Sequence, residues 1–244
     1  MLVLKKDQKK SSTFLDTTNT KASNIKSLYR EYLKSMNNNN RKSSVGMFSP
    51  SMLAYCPRQQ ALKFIGADTS PTKIPNKLRL ILEEGTAIHD LIQGILKNIY
   101  GDLFIPEVTL ISKQYKISGR CDGIFKFDSG AILEIKGIGK SGFKSLYKPK
   151  EDHVRQLNTY LKITGFDIGY LWYFCRDDLS DIMFTIGFSQ ELWEGDYKIL
   201  QDIEKSIEEN KWPVRDDGNC IMCRYSHVCK SDKLPRDYLS GTKN

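Results

Sequence analysis

Long hydrophobic runs are absent from this sequence. No apolar stretch among its 244 residues approaches the roughly 20 residues that a membrane-spanning helix needs. The apolar residues at positions 1–4 are followed at once by lysine and are too few for the core of a secretory signal peptide. Apolar content of 40% and mean hydropathy of −0.44 are typical of a globular chain. We therefore expect a cytoplasmic protein without membrane contact.

Acidic residues are also scarce relative to basic ones. The chain has 37 Lys and Arg against 29 Asp and Glu, which gives a formal charge of +8 and a pI near 9.0. Such an excess favours a polyanionic partner, with nucleic acid as the first candidate.

Without a secretion signal, the six cysteines do not predict structural disulfides. Cys220, Cys223 and Cys229 follow a Cys-x2-Cys-x5-Cys spacing that is typical of a metal site in a reducing compartment. Three thiolates leave one ligand to be found. Cys56 would complete an all-sulfur set that suits a [4Fe–4S] cluster, whereas His227 would complete a Cys3His set that suits Zn2+. The spacing alone does not separate the two.

Composition and periodicity divide the chain into three parts. Residues 1–46 are rich in Lys, Ser, Thr and Asn and predict an N-terminal extension with flexible flanks. Apolar residues recur at helical spacing from Ile25 to Met36, which predicts one amphipathic helix docked on the main domain. Residues 47–234 are predicted to form that domain, and 235–244 a C-terminal tail.

The main domain is predicted to be of the α/β class. Its elements, in order, are helices over 57–64 and 77–100, strands over 105–117, 120–127 and 131–136, a helix over 151–164, strands over 168–175 and 182–188, and a helix over 190–210. Residues 139–149 predict a basic loop. This order is that of a sheet flanked by helices.

The second and third strands form a predicted hairpin that carries charged side chains. Residues two apart in a strand share a face, so Glu134 and Lys136 point the same way. Asp122 lies on the partner strand, where its carboxylate would converge with that of Glu134. Two carboxylates on one sheet face are costly unless a cation lies between them, and a divalent metal prefers such oxygen ligands.

Two helices flank this hairpin and add polar side chains. His89 lies on the helix before it. On the helix after it, His153, Gln156 and Tyr160 occur at i, i+3 and i+7 and share one stripe. A polar stripe on a helix that faces the core indicates that the stripe lines a site.

Together these motifs resemble the RecB-type branch of the PD-(D/E)XK nucleases, over about residues 50–232. The resemblance is carried by Gly85-x3-His89, Gly119-x2-Asp122, Glu134-x-Lys136 and Gln156-x3-Tyr160. The cysteines resemble those of the iron–sulfur subgroup, which includes the CRISPR-associated exonuclease and phage-encoded relatives. The resemblance implies a restriction-endonuclease-like core, with a central mixed β-sheet flanked by helices and a C-terminal cysteine cluster.

The resemblance also implies roles for single residues. His89, Asp122 and Glu134 would bind Mg2+ or Mn2+ together with the backbone carbonyl of Ile135. Lys136 would position or deprotonate the attacking water. The remaining pair, Gln156 and Tyr160, would orient Lys136 or hold substrate phosphates. The resemblance favours Cys56 over His227, and hence iron–sulfur over zinc.

The function expected from these features is a metal-dependent DNA exonuclease that acts on single strands or frayed ends. The basic segment 140–150 would contact backbone phosphates. An alternative is a non-catalytic DNA-binding or adaptor subunit of a recombination, packaging or CRISPR-adaptation complex, although such a module has no need of Asp122, Glu134 and Lys136. A further alternative is a zinc-stabilised interaction domain.

Overall fold

The computed structural model of the chain describes residues 27–32, 45–67, 75–216, 220, 223–229 and 234. Contacts divide the chain into two units, one of residues 1–40 and 73–79 and one of residues 41–72 and 80–244. In the smaller unit, residues 27–32 are helical, as predicted; the rest of the helix expected over 25–36 and the tail 235–244 lie outside the described residues. The domain limits at 46 and 234 stay predictions. No helix in the described ranges is long and apolar enough to cross a membrane.

The larger unit contains one five-stranded mixed sheet, in which the strands follow one another in chain order. Strands β3 and β4 are parallel, and every other neighbouring pair is antiparallel. The strands are β1 (Phe104–Ser112), β2 (Ile117–Phe125), β3 (Ala131–Ile138), β4 (Ile168–Cys175) and β5 (Asp181–Gly187). The predicted α/β class, with a central mixed sheet flanked by helices, is confirmed.

Five named helices accompany the sheet: α1 (Pro57–Phe64), α2 (Asn76–Tyr100), α3 (Lys140–Lys144), α4 (Glu151–Thr164) and α5 (Gln190–Glu208). Helix α3 lies in the segment predicted to be a loop, because one turn and a half is too short to produce a visible period. The strand expected over 105–117 is also corrected. It ends at Ser112, and a turn with a positive φ at Lys116 leads into β2.

Strand β3 is buried on both faces, which explains its continuous apolar character. Leu133 and Ile135 pack with apolar residues of α2 on one face, and Ile132 packs with Leu157 of α4 on the other. Glu134 lies among these residues with only 1% of its surface exposed. A carboxylate at this depth requires hydrogen bonds or a cation.

Helix α4 is fixed against the start of α5 by buried polar contacts. Asn158 is 1% exposed; its side chain accepts a hydrogen bond from the backbone N–H of Ser189 (2.8 Å) and donates one to the Ser189 carbonyl (3.0 Å). Arg155 pairs with the buried carboxylate of Asp196, with 2.6 Å between Nε and Oδ1. These contacts set the position of the polar stripe on α4.

We predict that Asn158→Ala lowers the free energy of unfolding by about 2–4 kcal/mol, because it leaves two backbone groups of Ser189 without their partners. Chemical denaturation measures the change. Lys198→Ala is the matched control, because Lys198 forms an exposed pair with Asp202 (2.9 Å) and its removal should cost less than about 0.5 kcal/mol. Equal effects of the two variants would contradict the prediction.

Candidate active site

Strands β2 and β3 separate at Asp122. Their backbone pairing runs from Phe125–Ala131 to Gly123–Leu133, and the next pair in that register would set Asp122 opposite Glu134. Instead, Asp122 Oδ2 accepts a hydrogen bond from the backbone N–H of Ile135 at 2.6 Å. A side chain thus replaces a backbone partner, and both carboxylates lie at the opening between the strands.

Three side chains form a closed network behind this opening. Glu134 Oε2 accepts hydrogen bonds from Lys136 Nζ and from Gln156 Nε2, each at 3.0 Å. Gln156 Oε1 accepts a second hydrogen bond from Lys136 Nζ, also at 3.0 Å. Because both ends of the Gln156 amide are engaged, its orientation and that of the ammonium group are fixed.

The protonation of this network follows from burial and charge. Burial raises the pKa of Glu134 to about 7, against the opposing effect of Lys136. Burial alone would lower the pKa of Lys136, but the carboxylates of Glu134 and Asp122 outweigh it and raise that pKa. Lys136 therefore remains an ammonium group. Glu134 Oε1 is buried and has no hydrogen-bond partner among the described residues, which is a position suited to a cation.

Metal-ligand atoms converge in front of the network. His89 Nδ1 lies 3.2 Å from Asp122 Oδ1. One donor atom each from His89, Asp122 and Glu107 lie within 4.8 Å of one another. Burial would lower the pKa of His89, but the hydrogen bond and charge of Asp122 outweigh it and raise that pKa. Carboxylate oxygens with one imidazole fit Mg2+ or Mn2+.

Glu107 was not found by sequence reasoning. It lies in β1 between the pairs Pro106–Gly123 and Val108–Cys121, and therefore opposite Asp122. Its φ is 55°, in the left-handed region that costs a non-glycine residue energy and that clusters at functional sites. No local motif marks Glu107, because its position depends on the pairing of β1 with β2.

Two neighbours hold Glu107 in place. Arg120 Nε lies 2.6 Å from Glu107 Oε2, an ion pair whose angle is poor for a hydrogen bond. Gln93, one turn after His89 on α2 and only 5% exposed, donates from Nε2 to Glu107 Oε1 (3.0 Å) and to the Asp122 carbonyl (2.9 Å). Gln93 was also missed, since a buried glutamine on an amphipathic helix has no distinctive spacing.

Tyr160 lies beside Gln156, but its hydroxyl forms a hydrogen bond with a different residue. Its hydroxyl donates to the Arg120 carbonyl at 3.0 Å, whereas the hydrogen bonds of Lys136 go to Glu134 and Gln156. Burial raises the pKa of Tyr160, so that it acts as a donor. Of the two roles expected for Tyr160, orientation of Lys136 is therefore not seen.

A pocket of about 420 Å³ opens next to Tyr160. It is lined by Ser49, Ser51, Gly119, Arg120, Gln156 and Tyr160. A Cβ atom at Gly119 would lie 2.8 Å from Pro50 and 2.9 Å from the Tyr160 hydroxyl, so only glycine fits there. The first glycine of the Gly119-x2-Asp122 motif thus gives the pocket its shape.

The four predicted cluster cysteines share one neighbourhood. The backbone N–H of Asp216 donates to Cys56 Sγ (3.3 Å), and Cys220 Sγ donates to the Asp216 carbonyl (3.7 Å). Burial raises the pKa of Cys223, and the nearby thiols of Cys229, Cys56 and Cys220 raise it further. His227, the alternative fourth ligand, is exposed.

No protein-family model matches the chain, and no curated protein matches its sequence. Several solved structures are similar to it, among them those of SSO0001 and LHK-Exo. That of SSO0001 has a TM-score of 0.56 and 22% identity, and the match covers 85% of this chain and 98% of SSO0001. That of LHK-Exo in complex with dAMP has a TM-score of 0.51 and 16% identity over 73% of this chain and 93% of its own. LHK-Exo is an alkaline exonuclease from Laribacter hongkongensis. The chain therefore shares the overall fold of these structures, one of which is that of an exonuclease.

The first residue of the predicted polar stripe, His153, also lies close to the network. Tyr173 is fully buried, and its hydroxyl oxygen accepts the backbone N–H of Lys150 at 3.1 Å. The same hydroxyl lies within hydrogen-bond distance of His153 Nδ1, at 2.9 Å. Burial and the nearby Lys136 ammonium lower the pKa of His153 to about 4.

We predict that the free energy of unfolding decreases as the pH falls from about 6.5 to 4, because His153 is protonated in the unfolded chain before it is protonated in the folded protein. The unfolded chain protonates this histidine near pH 6.5, whereas the folded protein keeps it neutral to about pH 4. The unfolded state therefore binds more protons in this window, and the loss amounts to roughly 2–3 kcal/mol. Urea denaturation at several pH values measures it. The His153→Gln variant should lose less stability over this window; an unchanged slope would contradict the prediction.

Proposed function

We propose that the chain is a metal-dependent DNA exonuclease that hydrolyses phosphodiester bonds of single strands or frayed ends. The observation that carries this proposal is the convergence of donors from His89, Glu107 and Asp122 in front of the buried pair Glu134–Lys136. The fold that it shares with LHK-Exo supports it. DNA as the substrate is further supported by the charge of +8.

Mg2+ or Mn2+ would be held by His89, Asp122, Glu107 and Glu134, with the carbonyl of Ile135 as a further ligand. The fit is supported by the three converging donors and by the buried, unpartnered Oε1 of Glu134. When bound, the ion supplies Lewis-acid polarisation of the phosphoryl oxygen and lowers the pKa of a coordinated water.

The protein's own part in the reaction centres on Lys136. Two of its three ammonium hydrogens are directed to Glu134 and Gln156, which leaves one for the attacking water or a phosphate oxygen. Because its pKa is raised, Lys136 acts as a fixed positive charge that stabilises the charge developing on the phosphate. Gln156 keeps the ammonium aimed at that position.

The pocket beside Tyr160 suits the end of a strand. Hydroxyl groups of Ser49 and Ser51 and the guanidinium of Arg120 line it, and these are groups that bind phosphate oxygens. A nuclease that removes nucleotides from an end needs such a site next to its reaction centre. The pocket therefore supports exonuclease action.

The alternative hypothesis, a non-catalytic DNA-binding or adaptor subunit, does not account for the buried network. A carboxylate that is 1% exposed beside a lysine costs desolvation energy. Binding to DNA does not require that cost, whereas phosphoryl transfer uses both charges.

We also propose that Cys56, Cys220, Cys223 and Cys229 hold a [4Fe–4S] cluster, as in the iron–sulfur subgroup of RecB-type nucleases. Their shared neighbourhood supports a four-thiolate site.

We predict that Asp122→Asn and Lys136→Ala each lower the rate of DNA hydrolysis by about 100-fold or more, because each removes a charge that the transition state requires. Release of nucleotides from end-labelled single-stranded DNA with Mg2+ or Mn2+ measures the rate. Asp102→Asn, at an exposed carboxylate paired with Lys97, is the control.

Glu107→Gln tests the ligand that the sequence did not reveal. It should raise the Mn2+ concentration needed for half-maximal activity about 10-fold, since an amide oxygen is a weaker ligand than a carboxylate.

For the two variants at the reaction centre, full activity of Asp122→Asn or of Lys136→Ala would rule out the proposed enzyme.

We predict that the protein purified without oxygen is brown, with a broad visible absorption band and about four irons per chain. Cys220→Ala should lose the colour and the iron, because one of the four thiolates is gone. His227→Ala should keep both. A colourless protein that contains zinc by elemental analysis would overturn the iron–sulfur assignment in favour of Zn2+.

A further inference from the structure

Tyr147 is the most exposed large hydrophobic side chain of the described residues, with 90% of its surface accessible. It lies in the segment between α3 and α4, residues 145–150. An aromatic ring gains free energy when it is covered, so that such exposure on an ordered segment indicates a contact surface.

The backbone on both sides of Tyr147 is fixed. Before it, Leu146 is 9% exposed and Phe143 packs against the same core cluster. After it, Pro149 restricts its own φ, and the backbone N–H of Lys150 donates to the buried Tyr173 hydroxyl. The ring is therefore held outward, and little ordering entropy remains to be lost when a partner binds.

Lysines flank Tyr147 in the sequence. Lys144, Lys148 and Lys150 are all exposed, and none of them takes part in an ion pair with the acidic residues that the structure describes. Lys140 differs, since its Nζ lies 3.5 Å from Asp178 Oδ2. An aromatic ring among free lysines is the combination that binds unpaired nucleic acid, because bases stack on the ring and phosphates contact the ammonium groups.

The segment also ends next to the candidate active site. The backbone N–H of Lys150 donates to the Tyr173 hydroxyl, which lies 2.9 Å from His153 Nδ1, and both side chains feel the charge of Lys136. The end of the segment is therefore anchored to residues near Lys136, where the reacting phosphate would bind.

We propose that Tyr147 stacks on an unpaired nucleobase of the substrate strand, while Lys144 and Lys148 contact the phosphates on either side. The proposal rests on the proposed function and deepens it by naming a residue that would select unpaired strands. Stacking uses the face that every base has, so that the contact selects unpaired strands without selecting a sequence.

The test measures the binding of fluorescein-labelled oligothymidine to the full chain by fluorescence anisotropy. EDTA is present so that no hydrolysis occurs. Tyr147→Ala should weaken binding about 5- to 100-fold. Tyr147→Phe should bind like the wild type, and Tyr147→Leu like the alanine variant, because leucine has no aromatic face. Phe127→Ala, at an exposed aromatic residue of the β2–β3 link, is the matched control and should leave the affinity unchanged.

The salt dependence of the DNA affinity distinguishes the contribution of the Tyr147 ring from that of the lysines. Lys148→Ala should reduce the slope of log K against log salt by about 0.7, which is the value for one phosphate contact on a single strand. Tyr147→Ala should leave that slope unchanged. An oligonucleotide with abasic sites should bind equally to the wild type and to Tyr147→Ala, and blunt duplex should not distinguish them either.

Three outcomes overturn the stacking proposal. The first is that Tyr147→Ala binds oligothymidine as tightly as the wild type, and the second is that Tyr147→Leu does. The third is that the wild-type protein has no affinity for oligothymidine. The nuclease assignment can fail separately. If the chain binds single strands through Tyr147 but does not cleave them with Mg2+ or Mn2+, the stacking proposal stands and only the proposed activity is wrong.

Discussion

The hydrogen bond from the Ile135 N–H to the Asp122 carboxylate is the contact on which the rest of the site depends. It stands where two strands of a sheet would otherwise continue their backbone pairing. Because a side chain satisfies the buried N–H, β2 and β3 separate without the cost of an unpaired backbone group. The opening admits His89 from α2 and Glu107 from β1 to the same carboxylate, and it leaves Glu134 within reach of Lys136.

Charge is distributed unevenly around this opening. In front, the carboxylates of Asp122 and Glu107 lie close together beside His89. Behind it, Lys136 is the ammonium group of the described network; burial first, and then the charge of Lys136, lower the pKa of the nearby His153. The two sides of the opening therefore differ in the sign of the charge that they present. Burial of the network preserves this arrangement, since water would weaken each of its interactions.

Local spacing was enough to predict the side chains that lie within one element. Strand alternation placed Glu134 beside Lys136, and the helical period placed Gln156 beside Tyr160, as the structure has them. Contacts between elements were predicted only where the hairpin pairing or the resemblance pointed to them, as for His89 with Asp122 and Gln156 with Lys136. Glu107 depends on the register of β1 against β2 and on a left-handed φ that no propensity indicates. Tyr160 shares the stripe of Gln156, but the greater length of its side chain carries its hydroxyl past Lys136 to the Arg120 carbonyl.

The backbone of Glu107 has a consequence for the solubility of the whole molecule. Strand β1 is at the edge of the sheet, and a straight edge strand is a template on which a second chain can add its own strand. Here, Pro106 offers no N–H, and the left-handed φ of Glu107 interrupts the regular ladder at the next residue. The distortion that brings the Glu107 carboxylate to His89 and Asp122 thus also interrupts the edge along which another sheet would pair.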